Sequence, residues 1–315
     1  MNGLIGYTGF VGGNLDKQID FDKTYNSSNI SEIEGEKFDL LVCAGIKAQK
    51  WFANKNPEKD LEDINNLLKH LENVEADKFV LISTIDVYDK SIDINENYKI
   101  NKDKLEPYGR NRYYAEQWIK NNFDDSLIIR LPALFGEGLK KNFIYDLIHR
   151  IPKIIVKKKM KELKNDLPDT EFKFIKNSYE VDKNDNYTLK NDISKKQNEN
   201  LKNILEKIGF TSLVFTDSRS EFPFYYLDYL WHHLNVALKN NISLLNLAVE
   251  PISAKEIANK CFDLDFTNIK EGQEPSEYDI KTIYSDKFDG EHGYIFKKGE
   301  IISQIKGYLN KEGIR

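Results

Sequence analysis

The chain has 315 residues, 40% of them hydrophobic and 31% charged, with a formal net charge of −5. That balance suits a folded core and argues against wholesale disorder, while an acidic pI of about 5.7 lacks the basic footprint that a phosphate backbone requires, so no nucleic-acid partner is expected. No apolar run approaches the roughly 20 residues that cross a bilayer, and no basic stretch followed by an apolar core opens the chain, so neither a membrane span nor a targeting segment is expected. The two cysteines, Cys43 and Cys261, stand far apart and outside any Cys-x-x-Cys pair, which points to reduced thiols and a cytoplasmic location. The five histidines are scattered or, at His232 and His233, adjacent on a helix, so no metal site is expected.

In chain order, short apolar runs at residues 2–6, 23–25, 39–44, 79–83 and 126–131 read as strands. Between them, residues 61–71 repeat apolar side chains at helical spacing through Ile64, Leu67, Leu68 and Leu71, and residues 113–119 begin another helix. Such alternation predicts βαβ units and a parallel sheet covered by helices. From about Lys153 to Asn203 the chain is crowded with Lys, Asn, Asp and Glu, which reads as an inserted, largely helical lobe. Its basic opening from Lys157 to Lys164 is better explained as a solvated helix face than as a phosphate site. The strand pattern returns at residues 213–215 and 222–227, a helix follows at 228–238, then a strand at 244–247, and an amphipathic helix at 300–309 ends the pattern.

Gly6-Tyr7-Thr8-Gly9-Phe10-Val11-Gly12 closes the first predicted strand and opens a predicted helix. Glycines there permit a tight turn and a close approach of backbone to a pyrophosphate, which the helix N-terminus then faces. A purely structural turn is the competing reading. The Gly-x-x-Gly-x-x-Gly spacing resembles that of the extended short-chain dehydrogenase/reductases, the group that includes nucleotide-sugar epimerases, dehydratases and reductases. Four further segments share the resemblance: Asp39-Leu-Leu-Val-Cys-Ala44-Gly45, Asn56-Pro57 with Asn65, Arg130-Leu-Pro132-Ala-Leu-Phe-Gly136, and Asn246-Leu-x-x-Glu250-Pro-Ile-Ser253.

The resemblance implies an α/β fold, a Rossmann-type doubly wound parallel sheet with a smaller, mostly helical C-terminal lobe for the substrate. The expected division is a dinucleotide-binding domain over residues 1–150, the charged insertion over 151–212, a return to the sheet over 213–248 and the substrate lobe over 249–315. It also implies a nicotinamide dinucleotide held by Gly6, Thr8, Gly9, Phe10, Val11 and Gly12 at the first turn. Ala44, Gly45 and Leu131 would contact it at later strand ends, with Asn26 and Ser27 at its ribose. Tyr25-Asn26-Ser27-Ser28-Asn29 offers no acid for the ribose 2′-hydroxyl and no Arg for a 2′-phosphate, so NAD and NADP both fit, with NADP slightly preferred. A homodimer is the assembly the resemblance implies.

The family's working parts are a Ser or Thr after the fourth strand and a Tyr-x-x-x-Lys on the next helix. Ser83-Thr84-Ile85-Asp86-Val87-Tyr88 resembles the first and assigns Thr84 as donor to the substrate oxygen. Tyr108-Gly-Arg-Asn-Arg112-Tyr-Tyr-Ala115-Glu116 resembles the second, with Tyr108 as proton-exchanging phenol and Arg112 at the lysine position, where it would also meet the nicotinamide ribose. An arginine stays protonated and offers several donors, so it can still lower the tyrosine pKa, although its planar fork will not occupy the lysine's place. Asp86 is either a substrate-facing carboxylate or part of a capped turn. Ile85 stands where dehydratases carry an acid, which disfavours elimination.

Lys141 and Asn142 are expected to meet substrate phosphate or sugar hydroxyls, although a solvated turn explains them nearly as well. Arg219 is a candidate diphosphate cation, a few residues earlier than the family's arginine. Trp51 is expected in the core. The leading expectation is an NAD(P)-dependent oxidoreductase or epimerase acting on a sugar-like, nucleotide-activated substrate. The alternatives are a dinucleotide-binding sensor or interaction protein without turnover and, third, a sugar-nucleotide dehydratase.

Overall fold

The computed structural model describes residues 1–182 and 185–314; Lys183 and Asn184 of the expected insertion and Arg315 of the expected C-terminal lobe lie outside the described residues. The chain divides into two compact units, one made of Met1–Leu139, Glu221–Ile252 and Ser276–Arg315, the other of Lys140–Ser220 and Ser253–Pro275.

The first unit is built on a six-stranded sheet. Its strands are β1 (Asn2–Ile5), β2 (Lys23–Tyr25), β3 (Lys37–Cys43), β4 (Glu75–Thr84), β5 (Ser126–Leu131) and β6 (Leu244–Asn246), in the spatial order β2-β1-β3-β4-β5-β6. Every neighbouring pair is parallel. Successive residues point to opposite faces, yet Leu41 and Val42, Val80 and Leu81, and Ile128 and Ile129 are all buried. Burial on both faces is what helices on either side of a parallel sheet require, and it explains why these strands read as continuous apolar runs.

Four helices position the site: α1 (Phe10–Asp16), α2 (Lys50–Lys55), α3 (Pro57–Leu71) and α4 (Pro107–Asn122). Both α3 and α4 start on a proline, whose missing N–H costs nothing in the first turn. Ile64, Leu68 and Leu71 of α3 and Ala115 and Ile119 of α4 pack with Leu41, Phe79 and Leu81 of the sheet in one core cluster. Each large side chain so buried contributes about 1.5–3 kcal/mol. Helix α4 is unusual in that it also buries Asn111, Arg112 and Glu116.

One strand expectation fails and another is redrawn. Residues 213–215 form part of a 3-10 turn, Ser212–Phe215, in place of a strand. The run at 222–227 is split by Pro223, which has no amide to give to a ladder, into two short strands: Glu221–Phe222 pairs with Ile252–Ser253 and Phe224–Tyr226 with Ala133–Phe135, both outside the six-stranded sheet.

In the second unit, helices Lys157–Asp166, Asp169–Ser178 and Lys195–Lys207 contribute Met160, Leu163, Ile175, Leu201 and Leu205 to a core of their own. A small antiparallel sheet of Ile154–Ile155, Tyr187–Leu189 and Tyr179–Val181 accompanies them. Lys157, Lys158, Lys161 and Lys164 are exposed, as a solvated face would be. Cys43 closes β3 in the first unit and Cys261 lies in helix Ala254–Phe262 of the second; both are buried. Among the described residues no helix is long and apolar enough to cross a membrane.

Candidate active site

Strand β1 ends in Gly6, whose φ of +88° is open to glycine at little cost. The turn that follows is packed against backbone: a methyl group on Gly12 would lie 2.1 Å from the Gly6 carbonyl oxygen. Any side chain there would push the first turn of α1 away from β1. The turn stands at the carboxyl ends of β1 and β3, where the strand order reverses and where open α/β sheets bind ligands. Asn26, just after β2, donates its amide to the Tyr7 hydroxyl at 3.1 Å and accepts from the Ser28 N–H at 2.8 Å. Thr8 and Ser27 are exposed, Ala44 and Gly45 follow β3, and Leu131 closes β5 opposite Thr84.

Adjacent hydroxyls at the end of β4 turn opposite ways. Ser83 donates to Glu116 at 2.6 Å, whereas Thr84 accepts from the Asp86 N–H at 3.2 Å and lies beside the Tyr108 phenol. Tyr108 reaches that place because α4 is pressed onto the turn after β4: a methyl on Gly109 would lie 2.0 Å from the Asp86 carbonyl oxygen. The Tyr108 N–H, one of the four amides a helix start leaves unpaired, donates to Asn54 Oδ1 of α2 at 2.9 Å.

Arg112 lies one turn along α4, stacked on the Tyr108 ring with its guanidinium carbon 4.0 Å from the ring centroid. Its two Nη atoms bind the two carboxylate oxygens of Asp60, and Nη2 also donates to the Lys47 carbonyl. Asn111 donates to the same carboxylate at 2.8 Å. Both partners of the ion pair are buried, at 4% and 6% side-chain exposure. Asp60 sits in the first turn of α3, where a carboxylate also suits the helix dipole. The Nε of Arg112 is buried and has no partner among the described residues.

Asp86 accepts from Lys50 Nζ at 2.7 Å. The pair opens on a cavity of about 620 Å³ whose lining also includes Lys104, Glu106 and Tyr278, a size suited to a small ligand. Burial raises the Tyr108 phenol pKa above its ordinary value; Arg112 pulls it down, Asp86 pushes it up, and Lys50 and the Thr84 side chain pull it down again. Burial likewise raises Tyr278, against Lys50 and with Asp86.

The structure thus brings Thr84, Asp86, Tyr108 and Arg112 together in the first unit and adds Lys50, Asp60 and Tyr278, which carry no local sequence signal. Lys141, Asn142 and Arg219 belong to the second unit. Lys141 is exposed, Asn142 caps helix Phe143–His149 by accepting from the Tyr145 N–H at 3.2 Å, and Arg219 holds Asp217 through Nε and Nη2 at 3.0 and 2.9 Å. Trp51 is not a core residue: it is 68% exposed, with Lys55 over its ring. At the first position of the α2 turn after Lys50 it projects away from the packed face that holds Ala53.

A nicotinamide dinucleotide fits these residues. The glycine turn leaves a backbone floor that no side chain fills, the end of β2 presents neutral amide and hydroxyl groups, and Arg112 Nε is a buried donor with a bond left to make.

No curated protein is matched by the sequence. Among solved structures the chain is similar in fold to RMD from Pseudomonas aeruginosa complexed with NADPH (14% identity, 98% of this chain and 97% of that one, TM-score 0.62). It is similar also to a dTDP-4-dehydrorhamnose reductase from Bacillus anthracis in complex with NADP (13%, 98% and 97%, TM-score 0.60). A third is a UDP-glucose 4-epimerase from Thermotoga maritima with UDP-glucose (12%, all of both chains, TM-score 0.58). The sequence profile described as the NAD dependent epimerase/dehydratase family matches residues 17–176, just over half of the chain. With the glycine turn, the six-stranded parallel sheet and the paired Thr84 and Tyr108 in place, the chain belongs to the NAD dependent epimerase/dehydratase family.

Proposed function

We propose that the protein is an NAD(P)-dependent oxidoreductase or epimerase acting at a carbinol or ketone carbon of a sugar-like, nucleotide-activated substrate. The observation that carries this reading is the placing of the buried Tyr108 phenol beside Thr84, Asp86, Lys50 and Arg112, in the unit that holds the glycine turn. When bound, the nicotinamide ring supplies or accepts the hydride. Tyr108 exchanges the proton at the substrate oxygen, Thr84 orients that oxygen by hydrogen bonding, and the Arg112 cation stabilises the phenolate. The turn from Gly6 to Gly12 would hold the pyrophosphate, Asn26 and Ser27 the adenosine ribose, and Arg112 Nε the nicotinamide ribose. The absence of an acid after β2 supports NADP over NAD, which a comparison of the two reduced cofactors' affinities tests.

The substrate class draws on the fold relatives, whose ligands include NADPH, NADP and UDP-glucose. Lys141, Asn142 and Arg219 of the second unit are proposed as substrate contacts, and a homodimer as the assembly. A second reading, dinucleotide binding without turnover, is favoured by one feature, the capture of Arg112 by Asp60. Deuterium transfer from labelled cofactor to a panel of sugar nucleotides and their keto forms separates the two. We expect transfer that falls by about two to four orders of magnitude in Tyr108→Phe; transfer unchanged in that variant removes Tyr108 from the reaction.

A further inference from the structure

The charge at the family's lysine position acts on Tyr108, but it is shared with a carboxylate. Arg112 spends both Nη atoms on Asp60, so a carboxylate offsets its field at the phenol. Asp86, on the turn after β4, opposes ionisation of the same phenol.

Lys50 answers Asp86, and α2 is built to bring it there. Lys50 and Asn54 are four residues apart and therefore share one helix face. Asn54 binds the Tyr108 amide at 2.9 Å while Lys50 binds Asp86 at 2.7 Å, so one turn of α2 clamps both partners. We propose that Lys50 is a positioning residue for the reaction: by neutralising Asp86 it helps the Tyr108 phenol lose its proton, sharing with Arg112 the part that the family's motif gives to the lysine four residues after the tyrosine. This rests on the function proposed above.

The groups facing the phenol are Arg112 from its own helix, Thr84 and Asp86 from the end of β4 and Lys50 from α2. Asp60 stands behind Arg112, and Tyr278 faces the Lys50–Asp86 pair. Lys50 is half-exposed, so solvent screens it, and its removal is expected to change phenol ionisation by about tenfold, one pH unit.

The test places a fluorinated tyrosine, which titrates at lower pH than tyrosine, at position 108 of the full chain and follows its titration by fluorine NMR. We expect Lys50→Met to move the titration up by about one pH unit and Lys50→Arg to leave it near the parent value. Asp86→Asn, which needs no change at Lys50, is expected to move it down, and the double variant Lys50→Met/Asp86→Asn to remove most of the upward shift. A titration unmoved by Lys50→Met, or moved equally by Lys50→Arg, overturns the assignment; should Lys50→Met not fold, a titration unmoved by Asp86→Asn does the same. Because no turnover is needed, an unmoved titration beside Tyr108-dependent deuterium transfer fails Lys50 alone. The expected shifts beside complete inertness toward sugar nucleotides support the assignment and fail the proposed reaction alone.

Discussion

Helix α4 takes part in two buried arginine pairs that look alike and differ in which guanidinium nitrogens the carboxylate takes. At one, Arg112 stacks on Tyr108 and binds Asp60; at the other, Glu116 binds Arg130, which lies 4.6 Å over the ring of Tyr88. Glu116 accepts from Arg130 Nε at 3.0 Å and from Ser83 at 2.6 Å, and the Tyr88 hydroxyl donates to Asn246 at 3.0 Å. No buried side-chain nitrogen of Arg130 is left without a partner among the described residues, whereas Arg112 keeps Nε unbonded. A closed polar network gives specificity to a core; a buried donor left open is tolerated where something else is to bind. The comparison separates an arginine whose buried nitrogens all have partners among the described residues from one that keeps a buried donor open.

The largest effect that tests the comparison is at the two tyrosines. Tyr108→Phe is expected to lose most of the deuterium transfer, as set out above. Tyr88→Phe is expected to retain it and to lose about 1 kcal/mol of stability, the worth of one buried hydrogen bond, measured by denaturant unfolding. If Tyr88→Phe also abolishes transfer in a folded protein, the two sites are not distinct in the way described.

Removing the carboxylates comes next. Glu116→Ala and Asp60→Ala each strand a buried guanidinium and are expected to destabilise the fold by about 3–5 kcal/mol. Only Asp60→Ala is also expected to ease the ionisation of Tyr108, because it releases the Arg112 charge beside that ring; fluorine NMR of the labelled position reads this directly. Equal titrations in the two variants would show that Asp60 does not hold back Arg112.

The smallest effect should come from Arg112→Lys. A lysine keeps the charge but cannot make the two-pronged bond to Asp60 and has no Nε. Cofactor affinity is expected to fall about tenfold, followed by fluorescence titration with NADPH, while the same change at Arg130 leaves it alone. Unchanged affinity in Arg112→Lys would mean that the open Nε is not a cofactor contact.

The sequence made the sheet, the glycine turn, Thr84 and Tyr108 legible because each is set by neighbours along the chain: strand runs, turn glycines, a helix start at Pro107. It also assigned Thr84 ahead of Ser83, and strand alternation is why only one of those hydroxyls reaches the phenol. Asp60, Lys50 and Tyr278 were invisible for the opposite reason. Each is an ordinary polar residue locally, one of many acids, lysines and tyrosines, and turns inward only because distant segments meet. The misread strand at 213–215 shows the limit of short apolar runs, whose periodicity cannot tell a strand from a buried turn.

The two buried cysteines have a practical consequence. Burial pushes the Cys43 thiol up to about 11, and an inert, shielded thiol is alkylated only when its segment opens. Since Cys43 belongs to one compact unit and Cys261 to the other, the order in which the two sulfurs are labelled dates the breathing of each half separately, with the native side chains as their own clocks.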